Sequence, residues 1–146
     1  MIFPVSALAL FENGIFTGLS YTMNLVSVPI MKASSDPLSA FCTNLEKAST
    51  IGVLTSVIGG LSHFYVYYKT GSIGSMICGI GSIIIIPYTL MFIMPTNNIL
   101  TQMHREKSTD KQRVFKLVSK WNRLQWVRTI IGTGTFVLAI NEYTKA

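Results

Sequence analysis

Two ionisable side chains stand inside otherwise apolar stretches of this chain: Glu12, in the run that opens at Ser6, and His63, in the run that opens at Ala48. Burying either one in an apolar medium is costly, so each needs a partner or a task. A carboxylate beside an imidazole makes a general base with its orienting group, facing an apolar cavity. The same pair is equally a satisfied polar contact that fixes helix register, and the residues leave both readings open. As metal ligands the two are too few, since no third His or Cys shares their layer, and no metal is expected. Tyr65 and Tyr67, beside His63, and Tyr88 further on are candidates to line a slot for a flat ring system. No nucleophile elbow, phosphate loop, dinucleotide fingerprint or HExxH is present. Cys42 and Cys78 are far apart and form no CxxC pair, so they read as packing residues.

The elements that must hold these groups are membrane helices. Of 146 residues, 49% are hydrophobic and 12% charged, about half the charge of a soluble domain. A bilayer removes the need for a charged surface, and a hydrocarbon core of about 30 Å takes roughly 20 apolar helical residues. Four stretches qualify, at about 6–30, 48–68, 72–94 and 124–143. The expectation is a single all-α domain over 1–146, an up-and-down four-transmembrane-helix bundle. At about 1.5 Å per residue, Glu12 lies roughly 9 Å and His63 roughly 8 Å inside the same boundary. The two are therefore expected to face each other. Near the opposite boundary fall Asn24, Gln125 and Arg128, with Asn97 and Asn98 just beyond; Arg128 is expected to snorkel to the headgroups.

The net charge of +6 is concentrated in the basic loop 95–123, which carries Arg105, Lys107, Lys111, Arg113, Lys116, Lys120 and Arg123. Basic residues packed beside apolar spans point to anionic lipid headgroups and not to nucleic acid. With Lys32 and Lys47, they place loops one and three on the cytoplasmic side, or the matrix side of a mitochondrial membrane, and both termini opposite. Val114, Leu117, Val118, Trp121 and Leu124 recur at helical spacing, predicting an amphipathic helix on the membrane surface that runs into the fourth span. His104 to Lys111 reads as an exposed turn. No Lys or Arg precedes the first apolar run, so it reads as a retained helix and not a cleaved leader. Gly14 and Gly18, Ser75 and Gly79, Gly59-Gly60, and Gly132 and Gly134 let backbones meet within the bundle. Pro87 is expected to kink the third span and free a carbonyl near Ile83, while Pro29 and Pro95 are expected to end helices.

Three stretches carry a resemblance. Gly14-Ile-Phe-Thr-Gly18 followed by Pro29, Pro87-Tyr-Thr to Pro95-Thr-Asn97, and Trp121 to Arg128 leading into Gly132 occur in order along nearly the whole chain. Together they resemble the small four-helix membrane family that includes the fungal anthrone oxygenases. The resemblance implies oxidation of an anthrone to an anthraquinone by molecular oxygen, without a conventional flavin or haem. It also marks Asn97, Trp121 and Arg128 as the family-like polar positions. Four residues after Trp121 it leads one to expect His or Asn, where this chain has Gln125. The expected function is an oxidoreductase of a hydrophobic aromatic or quinone-like substrate. Glu12 or His63 is then the base and Tyr65, Tyr67 or Tyr88 the wall of the slot. The alternatives are an accessory or assembly subunit held to a membrane protein partner and, third, a small lipid or metabolite carrier.

Overall fold

The computed structural model describes residues 2–145, and side chains from Pro4 onward. Every regular element among them is helical, in four antiparallel rods. The first is α1 (Ile2–Thr22), a π-turn (Met23–Ser27) and α2 (Val28–Ala33); the second is α3 (Pro37–Thr70). The third is α4 (Ile73–Ile83), α5 (Ile85–Tyr88), a π-turn (Thr89–Ile93) and α6 (Met94–Arg105); the fourth is α7 (Lys111–Thr144). Each rod packs mainly on two neighbours, first on second, second on third, third on fourth and fourth on first.

Local chemistry sets the corners. Asp36 accepts from Ser39 N–H at 3.0 Å and starts α3, and Asp110 accepts from Arg113 N–H at 3.0 Å and starts α7. Gly71 ends α3 at φ +70°, a left-handed turn that suits glycine, and Ser72 at once caps α4. Pro87 has no N–H and crowds the carbonyl of Ile83, so the helix is interrupted at Ile84, where the kink was expected. Pro29 and Pro95 do not end their rods. Each stands in the first turn of a new α segment just after a π-turn. The wider turn, closed by Val28 N–H to Met23 O and Met94 N–H to Thr89 O, absorbs the missing donor.

The loop expected over 95–123 is helical except for a turn between Arg105 and Lys111. The helix expected over Val114 to Leu124 is present and runs without a break into the rest of the fourth rod. Val114, Val118 and Trp121 belong to a single helix of 34 residues, about 50 Å long, and they face inward. They pack with Met31, Leu38, Phe41, Leu100 and Met103 in one hydrophobic core. The stripe is apolar because a core covers it, and periodicity does not distinguish a neighbouring helix from a lipid surface.

Packing changes character along the rods. Large apolar side chains fill the core at the basic end. Toward the other end the buried positions are small or weakly polar, among them Ser56, Gly59, Ser75, Gly79, Ser82 and Gly132. There Leu54, Leu61, Ile73, Ile77, Ile130 and Val137 face outward instead. Two helices, Pro37–Thr70 and Ile73–Arg105, are long and apolar enough to cross a membrane.

Candidate functional site

A cavity of about 150 Å³ lies between the four rods, midway along the bundle and bordering both π-turns. Leu19, Met23, Ile85 and Ile93 give it apolar walls, Ser20, Ser49, Ser56 and Thr89 add hydroxyls, and its larger polar side chains are Asn97, Trp121, Gln125 and Arg128. Three of these carry a buried atom with no partner in the protein: Asn97 Oδ1, Trp121 Nε1 and Arg128 Nε. Buried polar groups are paired as a rule, so three orphans around one cavity mark it as a place for a polar guest. One is an acceptor and two are donors.

Their positions are fixed by neighbours. Trp121 is buried edge-on against Phe41, with ring centroids 5.4 Å apart and planes at 87°. Arg128 sits 5.5 Å above the Phe16 ring, donates to Gln125 Oε1 at 3.2 Å, and has no carboxylate partner among the described residues. It turns into the bundle and does not snorkel outward. Gly52 makes room for it: a Cβ there would lie 3.3 Å from Nη2. Behind this wall Thr129 donates to Asn24 Oδ1 at 2.6 Å and Asn24 Nδ2 donates to Asn122 Oδ1 at 2.7 Å, tying the first rod to α7. Val53, Leu90 and Met94 line the cavity yet are exposed, so it opens sideways between the second and third rods.

The Glu12–His63 layer is built differently from the expectation. His63 is fully buried, but its partners are Asn13, with Nδ2 2.7 Å from Nε2, and Tyr143, whose hydroxyl is 2.7 Å from Nδ1. Ser82 donates to Asn13 Oδ1 at 3.1 Å, which leaves the amide nitrogen to donate to Nε2 and the imidazole N–H to donate to Tyr143. Glu12 lies one helical position away, against Gly59, and makes no hydrogen bond to His63. Depth placed the two residues in one layer; the 100° turn per residue brings Asn13 round to the imidazole instead. Tyr65 and Tyr67 face outward, 40% and 37% exposed, and do not border the cavity. Tyr88 stacks on Phe92 and donates to the Leu124 carbonyl at 3.1 Å, also outside the cavity walls.

Of the residues singled out from sequence, Asn97, Trp121 and Arg128 thus share one cavity, while Glu12, His63, Tyr65, Tyr67 and Tyr88 stand elsewhere. Asn13 and Tyr143 went unmarked because an uncharged polar side chain in an apolar run is a weaker signal than an ionisable one. Among the described residues no three His, Cys, Asp or Glu side chains converge as a metal set would.

The profile of the anthrone oxygenase family matches residues 41–138, which includes α7 through Trp121 and Arg128. Anthrone oxygenase tpcL of Aspergillus fumigatus is 23% identical over 95% of this chain and 92% of its own length. Noranthrone monooxygenase of Aspergillus flavus is 25% identical over 84% of this chain and 65% of its own length. No solved structure matches the chain.

Proposed function

The chain belongs to the anthrone oxygenase family, and from that premise we propose that it is a four-span membrane oxidoreductase that oxidises an anthrone-like aromatic with dioxygen in the cavity between its rods. The observation that carries this reading is the set of three orphaned polar atoms on Asn97, Trp121 and Arg128 around one apolar space.

The membrane part of the reading is supported by the inside-out packing. In lipid, apolar surface gains nothing by burial, so small residues serve for close helix contact and large apolar ones face the tails. This is the pattern of the half away from the basic end. The basic half extends beyond the hydrocarbon and has a large-residue core of the kind water demands. Basic residues around that end support a cytoplasmic or matrix orientation for it, against anionic headgroups.

The chemistry follows from the substrate's own acidity. Loss of a proton from the methylene carbon of an anthrone leaves an enolate, with negative charge on the oxygen across the ring. Trp121 Nε1–H and Arg128 Nε–H are fixed donors for that oxygen, in a site of low dielectric where such donors count most. Asn97 Oδ1 accepts a hydrogen bond from a ring hydroxyl. The electron-rich enolate passes an electron to dioxygen, and the two radicals join at the former methylene carbon as a peroxide anion. This takes back one proton to become the hydroperoxide, which loses water to leave the second carbonyl. One anthrone and one dioxygen give one anthraquinone and one water. A cavity of this order holds a single aromatic ring; the remainder of a fused tricycle extends through the sideways opening, which is also the way in from lipid.

Oxygen uptake and anthraquinone formation, in membranes with the protein and in membranes without it, test the reading. A rate above the spontaneous background supports it, and a rate equal to background from folded protein overturns it.

A further inference from the structure

A second space adjoins the cavity. A groove of about 650 Å³ runs between the first rod and the start of α3 at the basic end. Its walls mix apolar surface with polar side chains, among them Thr22, Asp36, Ser39, Thr43, Asn44 and Lys47. Groove and cavity share Leu19, Met23 and Ala48, so these three side chains form the constriction between them. Met23 is the adaptable one: an unbranched thioether with three rotatable bonds, 5% exposed, at the first position of a π-turn. Asn44, in the groove wall, has its Oδ1 buried without a protein donor, and buried carbonyls without a protein donor are as a rule satisfied by water. The cavity itself has no described carboxylate or imidazole in its wall. A proton released there has no acceptor on the protein.

We propose that the groove is an aqueous outlet for the cavity, gated by Met23, which takes up the proton of the substrate's C–H bond and discharges the water formed. In this step the C–H bond breaks, its electron pair stays on the substrate as the enolate, and water in the groove accepts the proton, which the same water returns to the peroxide anion formed after dioxygen adds. The inference rests on the membrane and oxygenase reading above.

Thiol accessibility tests it without reference to turnover. In a Cys42→Ser/Cys78→Ser background, Ser20→Cys places a reporter in the cavity wall, at a position 2% exposed. Sealed vesicles receive either an anionic, membrane-impermeant thiol reagent, from one side at a time, or a neutral, permeant one. The outlet predicts modification by the anionic reagent from the basic side only, about tenfold slower with Met23→Phe and faster with Met23→Ala. Modification by the neutral reagent alone, or by neither, overturns the outlet and leaves the membrane reading in place. An anionic rate indifferent to Met23, or seen from the far side alone, overturns it too. Equal modification from both sides overturns the spanning arrangement on which the outlet depends.

Discussion

Arg128, in the cavity wall, donates to Gln125 Oε1 at 3.2 Å and rests over the Phe16 ring, while its buried Nε–H has no partner in the protein. Gln125 lies one helical turn before it on α7 and neutralises nothing. An acidic partner in its place would cancel the charge that an enolate needs; an amide orients the guanidinium and leaves its charge available.

Trp121 separates packing from hydrogen bonding. Trp121→Phe keeps an aromatic edge against Phe41 but deletes the indole donor. Turnover is expected to fall about 10²-fold, as for loss of one oxyanion donor, with thermal stability nearly unchanged. Trp121→Ala, by contrast, is expected to cost about 3–5 kcal/mol of stability. Thermal unfolding in detergent beside oxygen uptake checks both; equal activity in wild type and Trp121→Phe would remove the indole from the mechanism.

Asn13 is expected to be a structural residue. Asn13→Leu strands the Nε2 of a fully buried His63, a loss of about 1–3 kcal/mol, while activity per folded molecule is retained. Glu12→Gln leaves both stability and activity close to wild type, because Glu12 has no bond to His63. Activity lost in Glu12→Gln at full stability would restore a catalytic role to that layer.

What sequence could reveal here depended on which neighbour covers a face. The four rods were legible because the apolar runs have helical length, while the caps at Asp36 and Asp110, which start α3 and α7 well before those runs, were not read. Family-like spacing also found three of the cavity's polar residues. Rotation about the helix axis was not legible: a depth argument fixes height but not azimuth, so it chose Glu12 where the bundle uses Asn13. The helix over Val114 to Leu124 was legible and runs into the fourth rod as expected, but its apolar stripe is covered by the core, which periodicity alone does not reveal. The π-turn before each of Pro29 and Pro95 was missed because a proline forbids one hydrogen bond without saying whether the chain stops or widens.

Gly132 tests the close packing of the first rod on α7. A Cβ at this position would lie 2.7 Å from the Phe16 ring, the same ring that supports Arg128. Gly132→Ala is expected to destabilise by about 1–3 kcal/mol and to lower activity further than stability alone explains. Gly134→Ala, where a Cβ meets nothing within 4 Å, is the control and is expected to be silent in both assays.

The most direct test of the cavity as the reactive site is anthrone-dependent oxygen uptake by wild type, Arg128→Gln and His63→Ala, each corrected for spontaneous oxidation and for folded protein. Arg128→Gln is expected to lose about 10²–10³-fold in turnover, the scale of one lost oxyanion stabiliser, with His63→Ala within a few fold of wild type per folded molecule. Full activity in Arg128→Gln, or its loss in His63→Ala alone, would contradict the assignment and move the chemistry to the other end of the bundle.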